Sequence, residues 1–268
     1  SFVGISQTYF EDFEDLNNLS DWYFLNNSDS PYESWGNGNT NNFNPYNGSS
    51  FLGVGYESSN SLDPVTLSNW AVSPSRTFNN GDVITFYSRR INFTPVFADR
   101  LEVRMSAAGN SMYTGFSSED TGDFSNLLLS INPDLSATGY PSEWTQYTVI
   151  ISGLNGPVNG RIAFRYFVTD GGPGGSNSNY IGIDSFTYYS SLSAPENDDC
   201  ETAIELAHTA ACTPETGSLQ VATESMPGCD GIANNDVWYS FTASTNSASI
   251  EILGSNELDA VVEIYSGP

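Results

Sequence analysis

The run YIGIDSFTYY, Tyr180 to Tyr189, alternates apolar with small or polar residues and keeps one acid, Asp184, inside it. A carboxylate in an apolar strand needs compensation, because an unpaired buried charge is either costly or neutralised by a raised pKa. A hard cation held by carboxylate, amide and carbonyl oxygens would supply it, and a place for Asp184 at a turn or sheet edge is the plainer alternative. A second constellation is cationic. By alternation, Arg161 and Arg165 share a strand face with Ala163 and Phe167, and Arg89 shares one with Tyr87. Guanidinium groups beside aromatic rings can bind a sugar or an acidic ligand by stacking and forked hydrogen bonds. Pairing with the abundant carboxylates is the plainer use of the same arginines. Trp35, in the polar stretch YESWGNGNTNNF, is the tryptophan that could serve as a ligand platform, with packing over a sandwich end as its alternative. Trp22, Trp70 and Trp144 read as core residues.

Catalysis finds little support. A serine or cysteine nucleophile needs a nearby base, usually histidine, and the chain has one histidine, His208. Two- and three-histidine zinc sites are thereby excluded. The chain has no lysine, which excludes Schiff-base chemistry, a P-loop lysine and a lysine nucleophile. GGPGGS, Gly171 to Ser176, lacks the lysine and following helix of a phosphate loop and reads as a loose hairpin loop. With 32 acids, no single carboxylate pair stands out for glycoside hydrolysis. The same acids give a formal net charge of -25, which repels nucleic acid and anionic membrane surfaces. No stretch approaches the roughly 20 apolar residues of a membrane span, so membrane insertion is not expected. An acidic, lysine-free chain rich in Asn, Ser, Gly and Tyr reads as secreted or cell-surface. It opens at Ser1, as a processed or excised product would.

The elements that must position these residues are short runs of period-two alternation bounded by turn residues. DVITFYSRR (82–90), DRLEVRMS (99–106), QYTVIIS (146–152), GRIAFRYFVTD (160–170) and SNYIGIDSFTYY (178–189) are the clearest. This is the pattern of an all-β sandwich. Residues 1–190 make one domain, 191–197 a small polar linker, and 198–268 a smaller β domain. In that second domain DVWYSFTAS, ASIEILGS and DAVVEIYSG are strand-like, and DDCETAIELA forms a short helix or a turn. It ends straight after a strand and reads as C-terminally truncated. Its exposed edges would then invite self-association by strand addition. All three cysteines, Cys200, Cys212 and Cys229, lie there, without the CxxC spacing of a zinc or redox site. An odd count leaves a free thiol, an intermolecular bond or a missing partner, and the pairing open.

Five blocks occur in an order that resembles the choice-of-anchor J, or cleaved-adhesin, domain of secreted Bacteroidetes-type surface proteins. They are DFEDLNNLSDWYFLNN, LSNWAVSPS, ADRLEVRMSAAG, WTQYTVIISGLNGPVNGRIAFRYFVTDGG and YIGIDSFTYY, and they cover most of residues 8–190. The remainder, from NDDCETAIEL to DAVVEIYSG, is similar to a pre-peptidase C-terminal β domain that stops early. The resemblance implies a jelly-roll β-sandwich, non-catalytic, appended to adhesins or to secreted hydrolases. It also implies a calcium ion joining the first strand to a late one, at Glu14 and Asp184, with Asp12 and Asn47 as helpers. The expected function is therefore that of a calcium-stabilised extracellular module binding a glycan or a protein. Accessory domains of a secreted peptidase or glycoside hydrolase, and a filament or stalk subunit, are the alternatives.

Overall fold

In the computed structural model the alternating segments pair into two antiparallel sheets. The structure describes residues 7–19, 21–191, 194–207, 214–219, 222–225, 236–253 and 261–266. The chain divides into two compact units, Gln7–Ser191 and a second made of Ser1–Ser6 with Leu192–Pro268. The strands of the larger unit are β1 (Gln7–Glu11), β2 (Tyr23–Asn26), β3 (Gly36–Asn37), β4 (Leu52–Gly55), β5 (Val65–Val72) and β6 (Arg76–Phe78). They continue with β7 (Val83–Arg90), β8 (Leu101–Ser106), β9 (Asn126–Ile131), β10 (Thr145–Ile150), β11 (Val158–Gly171) and β12 (Tyr180–Tyr189). The front sheet has the order β10-β7-β12-β4-β3 with β1 also on β12; the back sheet runs β2-β5-β11-β8-β9 with β6 on β11.

The two sheets bury one core between them. Alternation turns Ile84 and Phe86 of β7, Val149 of β10 and Ile181, Ile183 and Phe186 of β12 inward, against Val103, Met105, Ile162, Phe164 and Tyr166 of the back sheet. Phe164 sits at the centre, 4.9 Å from the Phe86 ring, 5.7 Å from Phe186 and 6.4 Å from Trp22. Each such side chain contributes about 1.5–3 kcal/mol by leaving water. The result is an all-β, jelly-roll sandwich.

Strict alternation along β12 would turn Phe186 toward solvent. The register instead shifts between Asp184 and Thr187, and Ser185 adopts φ 51°. This bulge keeps Ile183 and Phe186 in the core and sets Asp184 and Thr187 on the outer face. The glycine-rich stretch before β12 also departs from expectation. β11 lies in the back sheet and β12 in the front sheet, so the stretch is a crossover between sheets rather than a hairpin loop. Its glycines serve close backbone approach: a Cβ at Gly174 would lie 2.0 Å from the Leu62 carbonyl oxygen.

In the smaller unit, Cys200–Thr202 form a 3-10 turn, and β13 (Ile204–Glu205) pairs in parallel with β14 (Tyr239–Ser240). The runs at 248–253 and 261–266, strand-like in sequence, carry no strand among the described residues. Alternation supplies an apolar face but not the neighbour whose ladder makes a strand. Leu253 and Ile264 accordingly stay 83% and 70% exposed. Cys200 is an exposed thiol; Cys212, Cys229 and His208 lie outside the described residues. Among the described residues no helix is long and apolar enough to cross a membrane.

Candidate functional site

Strand β7 alternates without a break: Ile84, Phe86, Ser88 and Arg90 point inward, and Val83, Thr85, Tyr87 and Arg89 point outward. Register with β10 sets Ile150, Thr148 and Gln146 beside Val83, Thr85 and Tyr87. Register with β12 sets Tyr189, Thr187 and Asp184 on the other side of the same three residues, and Phe10 of β1 lies beside Thr187. The outer face of the front sheet is therefore a grid of three short rows. One row is Ile150–Val83–Tyr189, the next Thr148–Thr85–Thr187–Phe10, and the third Gln146–Tyr87–Asp184. Ile150 is 63% exposed, Thr148 and Gln146 are exposed and Thr85 and Tyr87 half-buried, whereas Thr187 is buried, so this half of the face is open on its β10 and β7 side.

The other half is covered. Phe43 and Phe51 stack with centroids 4.8 Å apart, and Trp144 packs edge-on to both. Their rings lie over glycine backbone, where a Cβ at Gly182 would come within 2.8 Å of Phe51. The glycine of IGID is thus required by the ring above it. Trp144 donates its indole N–H to the Asn44 carbonyl at 2.9 Å. It belongs to this outer cluster and not to the sandwich core.

At the border of the two halves, Tyr46 lies flat on Tyr87, with centroids 3.6 Å apart and planes 15° from parallel. Tyr46 remains 46% exposed. Its hydrogen bond with the Tyr87 side chain holds the Tyr87 phenol above the usual tyrosine range. Arg89 closes the border. Its guanidinium sits 4.6 Å from the Phe43 ring, bonds the Ser142 carbonyl and lies 3.6 Å from Glu143.

Of the predicted metal residues, Asp184 and Glu14 reach the adjoining loop that carries Asn47, and Asp12 does not. Asp184 has no exposed surface. Its Oδ2 accepts the backbone N–H of Tyr46 at 2.8 Å and of Asn47 at 3.1 Å, and its Oδ1 accepts the Ser185 hydroxyl at 3.3 Å. Burial pushes its carboxyl up to about 6 despite those donors. Glu14 grips the same loop from the first segment, accepting the Ser49 N–H at 2.9 Å, the Ser49 hydroxyl at 2.6 Å and the Ser50 N–H at 3.2 Å. These bonds hold its carboxyl below the usual glutamate range. Asn47 is exposed and contributes its backbone, while Asp12 is half-buried near Glu11. No group of three or more His, Cys, Asp or Glu suited to a metal occurs among the described residues. Asp184 and Glu14 instead take N–H and hydroxyl donors at different points of the loop, Asp184 at Tyr46 and Asn47, Glu14 at Ser49 and Ser50.

The remaining expected ligand residues are enclosed. Trp35 is 4% exposed and donates its indole N–H to the Asn69 carbonyl at 3.0 Å, so it offers no platform. Arg165, 1% exposed, is clamped between Trp70 and Phe167, at 4.9 and 3.8 Å from their rings. It donates to Glu102, Ser68 and the Ser118 carbonyl. Arg161, 6% exposed, donates to the Ser73, Asp21 and Asn110 carbonyls beside Tyr23, on the wall of a cleft of about 440 Å³. The shared strand face was legible, but a covering loop is a tertiary feature. The same holds for Tyr46, which sequence reasoning missed because an irregular loop leaves no periodic signal.

No protein-family model and no curated protein matches the chain. Among solved structures it is similar to the K1 cleaved adhesin domain of Lys-gingipain from Porphyromonas gingivalis W83, at 19% identity and TM-score 0.47, over 69% of this chain and 98% of that one. The K3 cleaved adhesin domain of the same protein gives 20% identity and TM-score 0.47, over 69% and 100%. A family 11 carbohydrate-binding module from Clostridium thermocellum, in complex with a β-1,3-1,4-mixed-linked tetrasaccharide, gives 10% identity and TM-score 0.36, over 68% and 96%. At such identities and TM-scores these likenesses assign no function to this chain.

Proposed function

We propose that Gln7–Ser191 is a non-catalytic, extracellular binding module that takes an extended, uncharged glycan on the open half of the front sheet. The observation that supports this most directly is the Tyr46–Tyr87 stack bordering a row of threonines. Aromatic faces suit the C–H face of a sugar ring, and hydroxyl and amide side chains suit its hydroxyl groups. Thr85, Thr148 and Gln146 supply those polar groups beside Tyr87. An uncharged ligand follows from the electrostatics: net charge -25 repels an acidic polymer, and Arg89 at the border is already committed to Ser142, Glu143 and Phe43. An open face without enclosing walls suits a polymer chain better than a small molecule. The lysine-free, acidic composition accords with a secreted or surface setting.

Calcium is part of the same reading. Asp184 and Glu14 would hold it, with Asn47 and Asp12 as auxiliary donors, and the ion would supply the positive charge that a buried Asp184 otherwise lacks. The test of function is a neutral-polysaccharide panel of β-glucan, xylan, mannan and galactan, read by affinity electrophoresis and calorimetry. At least one polymer should bind, and Tyr87→Ala and Tyr46→Ala should each weaken it roughly tenfold, in line with the loss of one aromatic contact. Absence of binding across the panel, or binding indifferent to both substitutions, overturns the proposal.

A further inference from the structure

The segment from Phe43 to Ser50 has neither helix nor strand, yet Tyr46 is held with its ring parallel to Tyr87. We infer that Asp184 and Glu14 are positioning residues for the binding face, fixing this segment so that Tyr46 lies flat on Tyr87. The inference rests on the reading of that face as a ligand platform and adds the residues that build it.

The loop is held through its backbone. Its amides at Tyr46, Asn47, Ser49 and Ser50 donate to the Asp184 and Glu14 carboxylates. A run of N–H groups aimed at an anion is a nest, here occupied by the protein's own acids. Asp184 is directly opposite Tyr87 in the β7–β12 register. Tyr46 is therefore anchored twice on adjacent positions of one sheet face, by its backbone to Asp184 and by its ring to Tyr87. The bulge at Ser185 is what holds both Asp184 and Thr187 outward, so the same local irregularity shapes the face and its anchor.

Glu14 fixes the far end. It follows Phe13, which is fully buried and takes φ 56°, and whose N–H is held by Glu11 at 2.9 Å. That turn aims Glu14 at the loop. Opposite it, Gly48 has φ 63°, and a Cβ there would lie 1.9 Å from Glu14 Oε1. Only glycine permits both the backbone angle and the approach of the carboxylate. Trp144 adds a third hold at the Asn44 carbonyl, 2.9 Å away. A loop held before, at and after an exposed tyrosine gives that ring a defined orientation. Packing alone would not call for Asp184, because an apolar residue fills a buried position at less cost than a carboxylate.

The test uses Asp184→Ala, Asp184→Asn, Glu14→Ala and Tyr46→Ala. Near-ultraviolet circular dichroism reads the Tyr46–Tyr87 stack without any ligand. Asp184→Ala and Glu14→Ala should lose the same tyrosine signal that Tyr46→Ala loses, with far-ultraviolet spectra unchanged. Asp184→Asn keeps an oxygen to accept the Tyr46 and Asn47 amides and should restore the signal. For a bound neutral polysaccharide, Asp184→Ala should lower affinity roughly tenfold, and the Asp184→Ala/Tyr46→Ala double variant no further, because the two changes remove one platform. If Asp184→Ala does not fold, half-buried Glu14 carries the same test. A tyrosine signal intact in folded Asp184→Ala or Glu14→Ala sinks the inference, as does a signal loss seen only when calcium is present. Absence of any glycan binding would overturn the ligand reading but leave the spectroscopic result to decide the positioning role.

Discussion

Several single residues in this fold carry charge where water does not reach, and Asp99 shows the consequence. It is fully buried; its Oδ1 accepts the Tyr166 hydroxyl at 2.6 Å and the Asn179 N–H at 2.8 Å, while Oδ2 has no hydrogen-bond partner among the described atoms. Burial pushes its carboxyl up to about 6, against the pull of Arg90. The sign follows from linkage. Between the ordinary aspartate value and about 6 the folded form keeps a proton that the unfolded form has released, so stability falls as pH rises through that window. Two pKa units correspond to roughly 3 kcal/mol at most. Acidifying from pH ~7.5 to ~5 should therefore raise the melting temperature, and Asp99→Asn should reduce that slope to the part contributed by Asp184, whose carboxyl is also raised to about 6. An identical slope in both proteins, measured by calorimetry across the range, would remove Asp99 from the account.

At the scale of elements, the two outer faces of the sandwich have opposite fates. The connection from Ala107 to Ser125 folds over the back sheet and builds a second small core of Trp70, Val72, Ala163 and Phe124. Arg165 joins loop to sheet. It donates to the Ser118 carbonyl at 2.6 Å and to Glu102 at 3.2 Å, and burial lowers its pKa only to about 10, so it stays charged. Removing one partner of such a buried pair costs about 3–5 kcal/mol, because Glu102 would be left with Arg104 alone. Arg165→Ala should lower the melting temperature by roughly 10 °C and open the 107–125 connection to proteolysis. Polysaccharide affinity on the front sheet should be unchanged. A fall in affinity at temperatures where the variant is fully folded would mean that the two faces are not independent.

Across the whole larger unit, the seven arginines do little to offset the acids. They are spent on carbonyls and rings: Arg76 lies over Tyr9 and Tyr188, Arg90 bonds Tyr140 and Ile91 carbonyls, and Arg100 those of Phe167 and Pro133. Ion pairs among the described residues involve only Glu102 and Glu143. Of the arginines expected to pair with carboxylates, Arg89 meets Glu143 and Arg165 meets Glu102 while Arg161 bonds carbonyls, and most of the acidic charge stays uncompensated. Cations should stabilise such a molecule generally, through screening, and calcium specifically, through mass action on the folded state. At constant ionic strength, chelator should lower the melting temperature by several degrees, and Asp184→Ala should abolish the difference between calcium and chelator. Equal melting curves for the native chain in both buffers would dispose of the metal.

Local pattern determined much of this protein. Period-two alternation marked β7, β8, β10, β11 and β12, because the side-chain period of a strand is written directly in sequence. The outward set Val83, Thr85, Tyr87 and Arg89 followed from it, as did the oddity of Asp184. Alternation cannot say which sheet a strand joins or what lies over a face. Tertiary structure decided that the glycine-rich stretch crosses between sheets, that a loop seals Arg165 while the Tyr87 face stays open, and that Trp35 is interior. It also decided that Tyr46 stacks on Tyr87 with its backbone held by Asp184, 138 residues away along the chain. Contacts of that separation come from how the two sheets close, and no local window of sequence contains them.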